Sequence, residues 1–194
     1  MVNIYRGPAK THCFHEPTYV FDLDGVRFYA ASFHDLTLAS TPPELHNILI
    51  LNCSATNDSA IPKLAMKDVV LKMPARMAIS MNETYINVKN VDEIHLNWPD
   101  KGLPGVVSSF WEDVLEKIQE MKYDGVICTC TGGHGRTGTA LVALSVAAGY
   151  SAVDSIAYLR GSYCDKVLET KKQVDYIINL SHDLNGWNEN ANEQ

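Results

Sequence analysis

Gly125-Val126-Ile127-Cys128-Thr129-Cys130-Thr131-Gly132-Gly133-His134-Gly135-Arg136-Thr137-Gly138 is the stretch that decides the architecture of this chain. Its opening, Gly125 to Thr129, is a short apolar run that reads as a buried strand. Thr137 to Ala148 follows as an Ala-, Leu- and Val-rich segment with helical spacing. Strand, glycine-rich loop and helix then set Cys130 at the base of the loop and Arg136 at the mouth of the helix. Glycines let consecutive backbone N–H groups turn inward, and the positive end of the helix macrodipole points at the same spot. Such a place favours an anion, either a bound phosphate or the Cys130 thiolate. Arg136 adds a planar fork of donors suited to two phosphoryl oxygens, and the Thr137 hydroxyl can donate toward the sulfur. A plain structural use of the same residues stays open, with Cys130 as a small core side chain and Gly132-Gly133 as a turn.

A second segment, Leu96-Asn97-Trp98-Pro99-Asp100-Lys101-Gly102-Leu103-Pro104, lies upstream. Cleaving a phosphate ester requires a proton for the leaving oxygen, which a carboxylic acid on a mobile loop can give. Asp100 suits that task, with Pro99 stiffening one side, Gly102 permitting movement on the other and Trp98 anchoring the loop as a packed hinge. An ordinary Pro-Asp turn is the alternative.

Together, Cys130, five intervening residues, Arg136 and Thr137, with Trp98-Pro99-Asp100 upstream, resemble the signature of the cysteine-based protein tyrosine phosphatase superfamily. The resemblance covers roughly Asn47 to Leu180. It implies that Cys130 is the nucleophile that forms a phosphocysteine, that Arg136 binds the phosphoryl group and that Thr131, Gly132, Gly133, His134 and Gly135 lend backbone donors. It implies further that Asp100 protonates the leaving group and then deprotonates the hydrolytic water. Val167-Leu168-Glu169-Thr170-Lys171-Lys172-Gln173 looks like the glutamine-bearing segment that opens the last helix in this superfamily. Gln173 fits the dual-specificity branch as a water-positioning residue, although Thr170-x-x-Gln173 is also a capping box. Glu169 stands where tyrosine-specific members often carry glutamine. Thr129 stands where the family usually has a histidine that supports the nucleophile. His134, the only loop imidazole, is read as a solvated residue that could instead face substrate.

The implied activity is metal-independent phosphomonoester hydrolysis, without cofactor, on a phosphoprotein. Phosphotyrosine is the first expectation, and dual specificity stays open. The loop contains no lysine of the kind found in phosphoinositide-directed members. A pseudophosphatase that holds phosphopeptides without cleaving them is the competing reading. A different phosphatase chemistry is suggested by Asp22-Leu23-Asp24-Gly25-Val26, which mimics the first motif of haloacid-dehalogenase-type hydrolases with Asp22 as nucleophile. The late acidic pair that such an enzyme needs for Mg²⁺ is missing.

Composition agrees with one soluble domain. The 194 residues carry a formal net charge of -7, which disfavours a general nucleic-acid or anionic-membrane binder. Met1 to Pro17 has no apolar leader core, and no run approaches a membrane span. A cytoplasmic protein is expected, and oligomeric state is left open. Five cysteines without framework spacing fit a reducing compartment. Cys128 is expected beneath Cys130 on the same strand face. Cys53, at the end of a strand from Asn47 to Asn52, is a candidate for a protective disulfide with Cys130, as in some members of the family. His12, Cys13 and His15 cluster, but a fourth metal ligand is not evident, and no metal is expected.

The remaining sequence reads as α/β, a single domain with a largely parallel sheet flanked by helices. Tyr19 to Ala30 alternates around Asp24-Gly25 as a β-hairpin outside the resemblance. A helix is expected near Pro43 to His46, another around Lys63 to Leu71, and strands at Tyr85 to Val88 and Glu93 to Leu96. Val107, Phe110, Trp111, Val114, Leu115, Ile118 and Met121 mark an amphipathic helix. Ser151 caps a helix to about Arg160, and Thr170 begins a last one to about Gly186. The domain is expected to span 1–187, with Asn188 to Gln194 as a disordered tail.

Overall fold

A computed structural model describes residues 16–33, 35–36, 42–55, 69–72 and 90–189. Six strands form one sheet: β1 (Thr18–Leu23), β2 (Val26–Ser32), β3 (Asn47–Asn52), β4 (Val69–Lys72), β5 (Asn90–Leu96) and β6 (Gly125–Cys130). Their order is β1-β2-β6-β3-β5-β4. The four central strands β2, β6, β3 and β5 are parallel, and the edges β1 and β4 run antiparallel to their neighbours. Four helices complete the fold: α1 (Phe110–Glu120), α2 (Gly135–Ala147), α3 (Ala152–Ser162) and α4 (Lys171–Glu189).

Alternation along β6 separates the two faces of the sheet. Val126, Cys128 and Cys130 join the main core together with Leu49, Leu51 and Cys53 of the adjoining strand and the residues of α2. Ile127 belongs to a smaller cluster with Tyr29, Ala31, Leu45 and Ile48. α2 is buried at nearly every position, because α1, α3 and α4 all pack around it while it rests on β2 and β6. This explains why its sequence is apolar all round rather than striped.

The hairpin forms as its turn residues require. Asp24 and Gly25 both adopt positive φ, 48° and 84°, the mirror-image turn that matches the twist of antiparallel strands. The alternation is imperfect, however. A register shift separates Tyr19 from Phe21, and β2 is buried from Phe28 to Ser32 because it is an internal strand paired with β6. Asp22 is exposed on edge strand β1, opposite Arg27 in the hairpin, and this hairpin use accounts for the residues that mimic a dehalogenase motif.

Several expected elements change. Pro43 and Glu44 form a turn, not a helix, closed by the Leu45 amide donating to the Pro42 carbonyl at 3.2 Å. Consecutive prolines remove two amide donors there. Val69–Lys72 is an edge strand, although the expected helix extended to Leu71. β-branched Val69 and Val70 suit the antiparallel pairing with β5. The earlier part of that expected helix, the Tyr85–Val88 strand and the His12, Cys13 and His15 cluster lie outside the described residues. Val107 and Met121 are exposed by 72 % and 47 %, because α1 begins and ends inside them. Its buried stripe is Trp111, Val114 and Ile118. The last helix continues through Asn188 and Glu189, which were expected in the tail. Among the described residues no helix is long and apolar enough to cross a membrane.

Candidate active site

Strand order brings distant loops together. β3 lies between β6 and β5, so the carboxyl ends of these parallel strands present Cys130, Cys53 and the Trp98–Gly102 segment along one edge of the sheet. Ligands of open α/β sheets bind at such ends. The carboxyl end of β2 joins them, with Ser32 opposite Cys130.

The loop after Cys130 is tightly held. The Cys130 carbonyl accepts from Phe33 at 2.8 Å and from Gly133 at 3.3 Å. Gly133 has φ of 72°, and a β-carbon there would stand 3.0 Å from the Ser32 nitrogen and 3.1 Å from the Ala31 carbonyl. Glycine is required for both reasons. Tyr163 donates its hydroxyl to the Gly133 carbonyl at 2.5 Å, and burial pushes that hydroxyl's pKa up. α2 starts at Gly135, so the amides of its first turn lack partners within the helix and are available to an anion.

Arg136 connects this loop to the upstream segment. It is only 4 % exposed. Its Nη1 donates to the Trp98 carbonyl at 2.8 Å, and its Nη2 donates to Thr131 Oγ1 at 3.2 Å. The same Nη2 lies 3.3 Å from Asp100 Oδ1, whose side chain is 63 % exposed. Trp98 is fully buried and donates Nε1–H to the Gly102 carbonyl at 3.0 Å. Gly102 also donates to the Pro99 carbonyl at 2.9 Å. A β-carbon on Gly102 would be 3.0 Å from that carbonyl oxygen. Gly102 therefore closes a tight turn after Pro99.

Thr137 is fully buried, and its Oγ1 has no hydrogen-bond partner among the described residues, a hydroxyl suited to meet an anion. Gln173 is fully buried as well. Its Oε1 accepts from the Thr170 amide at 3.2 Å while Thr170 Oγ1 accepts from the Gln173 amide at 3.2 Å. This is the reciprocal capping box. Gln173 Nε2 has no hydrogen-bond partner among the described residues. His134 is half-buried with Cys164 Sγ 3.6 Å from Nδ1, rather than solvated as expected.

The free thiols among the described residues are Cys53, Cys128 and Cys130. Cys164 is disulfide-bonded, a departure from five reduced cysteines, because spacing along a chain does not show which thiols meet in space. Cys53 is pushed well above an ordinary thiol by burial, with the charges of Cys128 and Cys130 adding to the shift. Burial pushes Cys128 up as well, and the Cys130 charge adds to it.

Sequence reading missed one row of polar residues. Asn52 is the register partner of both Thr129 and His95, so the three side chains share the sheet face opposite Cys130. All are buried. His95 Nε2 is 2.8 Å from the Ser54 carbonyl, and Asn52 joins Glu93 at 2.9 Å and the Ser54 amide at 3.1 Å. Thr129 Oγ1 is without a hydrogen-bond partner among the described residues. The signal was period-two placement of polar residues at the ends of apolar strands, but pairing of β3 with both neighbours is needed to align them.

With this geometry in place, comparison with known proteins is decisive. The family model Protein-tyrosine phosphatase matches residues 52–176. The chain belongs to that family. The match falls within the span of the sequence resemblance. Two uncharacterised proteins of Methanocaldococcus jannaschii are 36 % identical over 80 residues and 35 % identical over 85 residues. Each match covers 41 % of this chain, and 48 % and 52 % of the relatives, so the match spans about half the length of these curated relatives. Among solved structures, the Trypanosoma cruzi protein tyrosine phosphatase TcPTP1 aligns with a TM-score of 0.60 at 16 % identity, covering 92 % of this chain and 75 % of that one. The Trypanosoma brucei phosphatase TbPTP1 aligns at 0.58 and 15 % identity, covering 90 % and 75 %. PTPN18 in complex with HER2 phosphopeptides aligns at 0.54 and 14 % identity, covering 87 % and 70 %. These likenesses show the same α/β fold.

Proposed function

We propose that this family member hydrolyses phosphomonoesters without a metal, acting on phosphoproteins through a phosphocysteine on Cys130. Phosphotyrosine is the favoured substrate group, with dual specificity as a further reading. The observation that supports it best is Arg136, whose single guanidinium spans Thr131 of the cradle and Trp98 and Asp100 of the upstream loop. A passive anion site has no use for an acid coupled to the arginine that would grip the phosphate. The PTPN18 complexes with phosphopeptides make a peptide-borne phosphate a reasonable ligand for the same fold.

In this mechanism the phosphoryl oxygens take the Arg136 fork and the amides from Thr131 to Arg136. Cys130 sulfur attacks phosphorus, and Asp100, released from Arg136 by the incoming phosphate, protonates the departing oxygen. Asp100, now a carboxylate, takes a proton from water as the water oxygen bonds to phosphorus, and the phosphorus–sulfur bond breaks with its electron pair leaving on Cys130 as thiolate, which the Thr137 hydroxyl steadies. Gln173 has an unpartnered amide to offer that water, although its oxygen is committed to the helix cap. The proposed domain takes in β1 and β2, which are integral to the sheet although the family match begins at 52, and reaches the end of α4 at Glu189, two residues beyond the expected boundary at 187.

The test is p-nitrophenyl phosphate hydrolysis in EDTA with vanadate as inhibitor. Wild-type turnover blocked by vanadate and abolished in Cys130→Ser is expected. Phosphopeptide binding without turnover would instead establish a pseudophosphatase, a reading favoured by buried, unpartnered Thr129 in the usual place of histidine.

A further inference from the structure

The end of α3 meets the middle of the cradle. Tyr163 directly follows that helix, its amide donating to the Leu159 carbonyl at 3.0 Å, and the Cys164 amide shares the same acceptor at 3.1 Å. Both residues therefore leave the helix in a fixed direction. The Tyr163 ring is buried in the main core, and its hydroxyl donates to the Gly133 carbonyl at 2.5 Å. Cys164 Sγ lies 3.6 Å from His134 Nδ1. Two consecutive residues after α3 thus hold two consecutive residues of the cradle, Gly133 by its carbonyl and His134 by its ring. Gly133 is confined on another side too, because backbone atoms of Ala31 and Ser32 stand within 3.1 Å of the place a β-carbon would take.

A peptide unit is planar and trans, so its C=O and N–H point in opposite directions. Turning the Gly133 carbonyl toward Tyr163 turns the His134 N–H away from it. Resting on the phosphatase reading above, we propose that Tyr163 is a positioning residue that aims the His134 amide into the cradle as a donor to the phosphoryl oxygens. Glycine tolerates both signs of φ, so a Gly133–His134 peptide released from Tyr163 is free to rotate and to present its carbonyl oxygen to the anion instead. Donors fixed beforehand need no reorganisation when the charge arrives. The hydroxyl suits this task at any working pH. Burial pushes its pKa up, with the charges of Cys130 and Cys128 adding to the shift, so it keeps its proton and remains a donor.

Amide proton–nitrogen spectra with and without vanadate, together with vanadate inhibition of p-nitrophenyl phosphate hydrolysis, test the assignment in the wild type and in Tyr163→Phe. In the wild type the His134 amide resonance moves on vanadate binding along with those of Thr131 and Gly135. In Tyr163→Phe the His134 response shrinks while Thr131 and Gly135 keep theirs. The vanadate inhibition constant rises about tenfold, as for one weakened hydrogen bond to a charged group, and kcat falls only a few-fold. A merely structural bond would lower stability without singling out the His134 amide. A wild-type His134 amide that stays still while its neighbours move overturns the assignment without recourse to any variant. So does a Tyr163→Phe protein with wild-type vanadate inhibition, or with all three responses reduced alike, and each of these results leaves the phosphatase reading intact. A wild-type protein that neither hydrolyses p-nitrophenyl phosphate nor shows any cradle response to vanadate overturns both.

Discussion

The cradle from Cys130 to Arg136 and the loop from Trp98 to Gly102 meet at one guanidinium but are built in opposite ways. In the cradle, Cys130, Arg136 and Thr137 are all buried, Gly133 is wedged against the backbone of Ala31 and Ser32, and Tyr163 ties its carbonyl down. In the loop, burial is concentrated in Trp98, while Asp100 stands in solvent. The difference matches two physical demands. Stabilising charge on a phosphoryl group requires donors fixed beforehand, whereas an acid must reach a leaving group that arrives with the substrate. Arg136 touches both, the Trp98 carbonyl and Asp100 on the loop side and Thr131 on the cradle side.

That contrast can be broken at its shared point first. Arg136→Lys replaces a planar fork by one flexible ammonium that cannot serve Trp98, Thr131 and a phosphate together. A loss of roughly 10³-fold in kcat/KM is expected from removal of a preorganised donor set, measured by steady-state p-nitrophenyl phosphate kinetics. Asp100→Asn should lower kcat by about 10²-fold as a lost general acid. Thermal unfolding should shift little, because exposed substitutions stay within about 0.5 kcal/mol. A large fall in Tm would show that the loop is structural after all.

Gly133→Ala probes the rigid side. Positive φ and three close backbone atoms leave no room to relax, so a destabilisation of about 2 kcal/mol is expected. That is about 4–8 °C in Tm for a chain of this size, checked by calorimetry. An unchanged Tm would mean that the cradle is softer than its contacts suggest. Tyr163→Phe is the mildest change. It leaves the Gly133 carbonyl without its donor and should cost about 1 kcal/mol, read from a denaturant midpoint, with turnover reduced only a few-fold.

The sequence was informative wherever chemistry and local backbone coincide. Cys130 to Gly138 announced strand, loop and helix because the glycines, the apolar run before them and the Ala-rich run after them each act locally. Ser151 and Thr170 announced helix starts for the same reason, and Asp24-Gly25 announced a turn. Phosphatase-family membership followed from Cys130, Arg136 and Asp100 and was then supported over residues 52–176. Legibility failed where a residue's place depends on a partner far along the chain. Val69–Lys72 became a strand because β5 offered an edge. β2 became a central strand because β6 lies beside it. His95 entered a polar row with Thr129 only through Asn52.

By itself, then, the sequence determined the α/β class, the passage from strand through glycine-rich loop to helix at Gly125 to Ala147 and the types of side chain found there, since spacing and backbone preference are local properties. The tertiary structure decided which groups meet. It placed Asp100 on Arg136, seated Tyr163 on Gly133 and pressed Glu169 against Gly135, because strand order and helix packing set distances between residues that spacing along the chain leaves free.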